Sequence, residues 1–293
     1  MPRTIILEAF AFRNVIVHYH IMKNAGSTIE SVLEREFGDA FFAIHRADSD
    51  GRIDAADIAE TLAREPSARA LTSHHFSFPL PEIPRTTIFD CCPIRHPLDR
   101  LASLHRYLSR IPPVDAVGRL AATSDVATFL RTLLDKFPNY VHNAQTNTIA
   151  NGGRFRTMGD ADFATAIAVV EKSSLHVVVD RLGESLVVGE YFLRPVFAGL
   201  QLHFVPQNVT HDAATTLAER QEHLAGRLGT ALLRDLRRAN EYDIRLYEAA
   251  SRELDRRIAL VPSFEDRLAE FRARCATSVS ASYEPGPRSV QSG

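Results

Sequence analysis

"IVHYHIMKNAGSTIESVLEREFG" (16–38) begins as a strand and ends as a helix. Residues 14–20 are β-branched and apolar, whereas 27–37 space their apolar residues helically before Gly38 closes the run. The turn between them carries Lys23, Asn24, Ala25, Gly26, Ser27 and Thr28. A helix starting at the carboxyl end of a parallel strand offers unpaired N–H groups and a positive dipole end. Gly26 would let the backbone approach an anion closely, Ser27 and Thr28 add hydroxyl donors, and Lys23 adds a mobile charge. The group expected here is phosphate-like. The turn is not a Walker loop, G-x-x-x-x-G-K-[ST], because its lysine precedes the glycine and the loop is shorter.

Outward from this turn, strand and helix patterns alternate. Strands are expected at 41–45, 68–75, 85–92 and 175–180. Helices are expected at 54–65, where Asp54 can cap and Pro66 stops, at 97–110 with Pro97 in the first turn, near 125–137 and at 161–172. From about 213 to 276 the pattern is almost wholly helical. This order predicts an α/β fold, a parallel sheet flanked by helices with a helical C-terminal region. There is no internal repeat and no second domain; 1–276 reads as one domain and 277–293, rich in Ser, Pro and Gly, as a disordered tail.

The 293 residues are 45% hydrophobic, enough for a sizeable core. Lys and Arg number 34 against 36 Asp and Glu, which argues against generic binding to nucleic acid or to a membrane surface. Three cysteines, two of them the adjacent Cys91 and Cys92, favour a reducing compartment. The N-terminus lacks the parts of a signal peptide and no stretch is long and apolar enough to span a bilayer, so a cytoplasmic protein is expected.

A second segment, "CCPIRHPLDRLASLHRY" (91–107), follows a buried strand pattern. Arg95 at the strand end supplies a fixed, permanently charged fork for phosphate, and Ser103 can present a hydroxyl from the helix that follows. With the first turn, in this order, the segment resembles a known family. "HIMKNAGST" is similar to the 5′-phosphosulfate loop, and R-x-P-x-x-R-x-x-S at 95–103 to the 3′-phosphate segment, of sulfotransferases that use 3′-phosphoadenosine 5′-phosphosulfate. The likeness is to the group containing the carbohydrate sulfotransferases and bacterial relatives. Weaker echoes lie in "VHNAQTNTIANG" (141–152), "VVVDRLGESLVV" (177–188) and "NEYDIRLYEAA" (240–250). His96 departs from the acidic residue often found after the arginine, and His105 from a common aromatic.

The resemblance implies a P-loop-like sheet and transfer of a sulfuryl group to a hydroxyl, with adenosine 3′,5′-bisphosphate as product and no metal required. It favours a saccharide or glycoconjugate as the hydroxyl acceptor, while the residues leave saccharide, lipid-linked glycan and small hydroxylated metabolite open. Lys23 is the candidate contact to the departing bridging oxygen, with residues 24–28 on the 5′-phosphate and Arg95 and Ser103 on the 3′-phosphate. For the base, "LTSHHFSF" (71–78) ends a strand with His74 and His75, and histidine titrates in the useful range. His74 aligns with the family's histidine; which of the two serves is left open by the residues. His20 reads as structural or as a support behind the residues that touch the substrate.

Other features carry less. Asp48, Asp50, Gly51 and Asp54 have EF-hand spacing, but Arg46 stands at the first ligand position and a strand precedes them. Asp90 lacks the P-loop lysine a Walker B aspartate accompanies, Cys91 and Cys92 read as packing residues, and Arg154 and Arg156 as a solvated basic loop. Two other classes fit the turn: a P-loop-like kinase, which would prefer ATP and need magnesium, and a non-catalytic nucleotide- or glycan-binding module.

Overall fold

The segment 13–19 is buried from its third residue onward, the near-continuous apolar run of a strand covered on both faces. It is the strand β1 (Arg13–Tyr19) of a computed structural model that describes residues 12–46, 51–205 and 215–282. β1 is followed by α1 (Gly26–Phe37), β2 (Phe41–Ala43), α2 (Ala55–Arg64), β3 (Ala70–Ser73) and β4 (Thr86–Cys91). Gly38 ends α1 with φ 50°, a left-handed conformation that favours glycine, and its N–H returns to the Glu34 carbonyl. Asp54 caps α2 in a reciprocal box with Asp57, as the sequence predicts.

All pairings are parallel and the strand order is β2-β3-β1-β4. β1 is therefore central: Val17 lies opposite Leu71 of β3 on one side and Asp90 of β4 on the other. Its side chains alternate between two cores. Val15, Val17 and Tyr19 pack with Leu71, Ile94 and later helices, whereas Ile16 packs with Ala70, Cys91 and the face of α1.

The expected strand at 175–180 forms only single bridges, Leu175 to Cys91 and Val178 to Ile94, before a 3₁₀ turn at Val179–Arg181. It continues the sheet beyond β4 through bonds such as Ile94 N–H to the Val177 carbonyl (2.9 Å). Pro93 lacks the N–H a regular ladder requires.

The remaining helices are α3 (Pro97–Leu108), α4 (Ala116–Thr123), α5 (Val126–Lys136), α6 (Ala144–Asn151), α7 (Asp160–Lys172), α8 (Leu182–Leu193), α9 (Leu217–Ala239), α10 (Glu241–Ile258) and α11 (Phe264–Ser282). Pro97 takes the first helical position of α3. The short helices α4 and α6 were not predicted; eight residues give too few turns for a clear period. Residues α3, α4, α5 and α9 share a third core around Phe129, Leu130 and Leu232. α11 runs to Ser282, six residues into the segment read as a tail; 283–293, the first eleven residues and Asp48 and Asp50 lie outside the described residues. Among the described residues no helix is long and apolar enough to cross a membrane.

Candidate functional site

Parallel neighbours end on the same edge of a sheet. The carboxyl ends of β3, β1 and β4 therefore bring together the three segments singled out by sequence: His74 and His75 after β3, the turn 23–28 after β1, and Arg95 after β4.

The turn is built from backbone that only special residues adopt easily. Lys23 (φ 66°) and Ala25 (φ 61°) are both left-handed, a cost of roughly 1–2 kcal/mol each for a residue with a Cβ. Asn24 N–H closes the turn on the Ile21 carbonyl (3.1 Å). Ala25 stands at the N-cap without a side-chain cap, so the N–H groups of Gly26 and Ser27 have no partner among the described residues. Ser27 is exposed and Thr28 is buried, and neither hydroxyl is hydrogen-bonded to a described residue. Asn24 instead faces the core: its amide donates to the Pro93 carbonyl and to Gln145 Oε1, both at 2.7 Å.

Arg95, just before α3, reaches the turn. The Arg95 guanidinium donates to Asp99 (2.8 Å) and to the Lys23 carbonyl (2.8 Å). Lys23 Nζ lies 3.9 Å from the centre of the Tyr107 ring. Asp99, Ser103 and Tyr107 are four residues apart on one face of α3, so half-buried Ser103 lies between the Arg95 contact and the Lys23 contact. Burial, then Arg95 and Arg106, push the Lys23 ammonium down to about 8.

Arg106 and Arg220 were missed by sequence reading. Asp99 accepts from both Arg95 and Arg220; burial raises its carboxyl, but the two arginines outweigh that and hold it below the usual range. Arg106 has Nε and one terminal nitrogen enclosed with no partner among the described residues. Asp99 thus answers Arg95 and Arg220 directly, while Arg106 and Lys23 crowd the same neighbourhood and Glu219 joins Asp99 on the acidic side. A cavity of about 320 Å³ opens beside them between α3 and α9, lined by Ala102, His105, Arg106, Arg220, His223 and Leu224 among others. The stripe Asp99, Ser103, Arg106 is the signal that could have shown Arg106; nothing local points to Arg220, 121 residues from Asp99.

His74 and His75 turn apart. His74 Nδ1 donates to the His20 carbonyl (2.7 Å), leaving Nε2 as the acceptor nitrogen, while His75 Nδ1 donates to the Gly51 carbonyl (2.7 Å). Burial, then the neighbouring His20, push the His74 imidazole down to about 4, so it is neutral at physiological pH.

The weaker echoes bind the site together. Gln145 Oε1 accepts from Asn24 and from the Arg95 N–H (3.0 Å), and its amide returns to the Arg95 carbonyl (2.9 Å). Asp243, fully buried, accepts from the N–H groups of Gln145 (3.0 Å) and Thr146 (2.8 Å) and from the Thr146 hydroxyl. Elsewhere, Asp90 accepts from the Ser174 N–H and hydroxyl, Arg156 pairs with Asp162, and the buried Cys91 and Cys92 thiols are pushed up by burial. Among the described residues no cluster could hold a metal ion.

No protein-family model matches this chain, and no solved structure matches it. An uncharacterized protein of Archaeoglobus fulgidus is 23% identical over 247 residues, which span 80% of this chain and 95% of the archaeal protein.

Proposed function

We propose that the protein is a sulfotransferase that moves a sulfuryl group from 3′-phosphoadenosine 5′-phosphosulfate to the hydroxyl of a saccharide or glycoconjugate. The observation that carries this reading is Lys23 and Arg95 at a strand-end turn whose Gly26 and Ser27 N–H groups have no partner among the described residues, beside a neutral histidine and with Arg106 and Arg220 on the neighbouring helices. A doubly phosphorylated nucleotide needs charge at two places, and this arrangement offers it.

In the reaction the acceptor oxygen forms a bond to sulfur as the bond from sulfur to the bridging phosphate oxygen breaks. The acceptor proton goes to His74 Nε2, the free nitrogen once Nδ1–H is spent on the His20 carbonyl. The charge left on the bridging oxygen, now part of adenosine 3′,5′-bisphosphate, falls to Lys23 and to the N–H groups of Gly26 and Ser27. Such a transfer is mostly positioning and electrostatics. Arg95 already has Asp99 and the Lys23 carbonyl as partners, so it sets the turn against α3 as well as adding charge. The partnerless nitrogens of Arg106 have donors to spare for the 3′-phosphate.

Adenosine 3′,5′-bisphosphate should raise the unfolding temperature, with ATP doing much less and EDTA nothing. Equal stabilisation by ATP, or a strict magnesium requirement, would favour the kinase alternative. Labelled donor offered to saccharide, lipid-linked glycan and small hydroxylated acceptors then tests the chemistry; binding with no transfer to any class would favour the non-catalytic module.

A further inference from the structure

His20, one residue past β1, has a ring held from several sides. Its Nδ1 donates to Glu30 Oε1 at 2.7 Å, and Glu30 also accepts from the Thr72 hydroxyl at 3.0 Å. Burial raises the Glu30 carboxyl, but the bonds to His20 and Thr72 and the nearby imidazoles together lower it to about 2, so the acceptor is a carboxylate. The His74 ring packs on the His20 ring with centroids 3.7 Å apart, and the His18 ring stacks at 5.5 Å. The remaining edge lies against the turn. A Cβ placed on Gly26 would stand 1.9 Å from Cδ2 and Nε2 of His20, deep inside contact distance.

We infer that Glu30 and His20 are positioning residues for His74, and that residue 26 is glycine because the His20 ring occupies the space its side chain would need. Glu30 fixes the rotation of the His20 ring; that ring and the His20 carbonyl fix the plane and tautomer of His74, so that Nε2 is the nitrogen left free. The Gly26 position therefore serves the histidine as well as the anion expected at the turn. The catalytic part of this inference rests on the sulfotransferase reading, because it takes His74 as the base. The structural part, that Glu30 together with the ring and carbonyl of His20 sets the plane and tautomer of His74, does not.

The test uses the full chain and reads the imidazole nitrogens of His74 by ¹⁵N NMR, beside kcat, KM and the Kd for adenosine 3′,5′-bisphosphate. The wild type should show one His74 tautomer, with the proton on Nδ1. Glu30→Ala should give mixed tautomers and lower kcat by about 10–100-fold, the scale of a misplaced group, with the bisphosphate Kd nearly unchanged. Glu30→Gln keeps an acceptor oxygen and should retain most of both; equal losses in the two variants would overturn a positioning role. Gly26→Ala should lower the unfolding temperature, and adding His20→Ala should recover part of that loss, because the clash is gone. A double variant no better than Gly26→Ala, or a wild-type tautomer in Glu30→Ala, overturns the inference. If no acceptor class is ever sulfated, the proposed function fails while the tautomer and the double-variant comparison still decide this point.

Discussion

Lys23 illustrates how much one side chain depends on its setting. It lies on Tyr107, its carbonyl holds Arg95, and its ammonium is pushed down to about 8 by burial and by Arg95 and Arg106. Such a lysine is charged at neutral pH and close to releasing its proton, which suits contact with a departing oxygen. Lys23→Ala should lower kcat far more than bisphosphate affinity, since the charge it meets develops in the transition state. On the sulfotransferase reading, kcat/KM should fall as pH rises past about 8, where Lys23 loses its proton, and on the acid side as His74 gains one near 4. An alkaline limb that survives in Lys23→Arg at the same pH would place that proton elsewhere. His74→Ala should lower kcat by roughly 10²–10⁴-fold with cofactor binding intact. His75→Ala should instead cost stability, because its ring ties the end of β3 to Gly51. A reversal of the two would make His75 the base.

Among the elements, α6 and α10 matter to the site without lining the turn. Gln145 on α6 bonds Asn24 of the turn and both backbone groups of Arg95, and Asp243 on α10 holds the start of α6. Asp243→Ala would orphan two buried N–H groups, at about 1–3 kcal/mol each, so a loss of roughly 2–6 kcal/mol is expected in denaturant unfolding. Gln145→Leu should cost less stability yet weaken bisphosphate binding, because the turn and Arg95 would no longer be fixed to one another. Unchanged affinity in that variant would show that the two phosphate segments are held by the sheet alone. At α3 the expected division is between Arg95 and Arg106. Arg95→Ala should lower both stability and affinity, the latter by about 1.5–3 kcal/mol, whereas Arg106→Ala should lower affinity with little loss of stability, since its enclosed nitrogens have no partner to lose among the described residues.

For the molecule as a whole, buried histidines set the acid side of stability. Burial pushes His18 down to about 3 and His96 down to about 4. Below about pH 6.5 the unfolded chain takes protons at these imidazoles and the folded chain does not, so folding weakens as pH falls from 6.5 toward 4. Each such group contributes a slope of up to about 1.4 kcal/mol per pH unit in that window and nothing above it. Glu30 and Asp99, held below the carboxylate range, add a second loss once the pH drops under about 4.5. Unfolding midpoints measured from pH 7 to 4 should be flat above 6.5 and decline below it. A flat profile down to pH 5 would mean that the buried imidazoles protonate in place.

What the sequence determined by itself is whatever short-range chemistry specifies. The β-branched run of β1, Gly38 past α1, the Asp54 cap and Pro97 at the start of α3 are read from neighbours a few residues apart, because backbone conformation and capping act at that distance. The alternation of those elements carried the parallel α/β class, and the two motifs marked Lys23, Gly26 and Arg95. Short α4 and α6 escaped, being too brief to show a period, and the strand expected at 175–180 forms only single bridges. Tertiary structure alone decided that one sheet edge gathers three segments, that His74 turns to His20 and His75 to Gly51, and that Arg220 shares Asp99 with Arg95. It also decided why residue 26 has no side chain. These outcomes depend on strand order and on which faces are buried, and both couple residues too far apart in the chain for any local pattern to record.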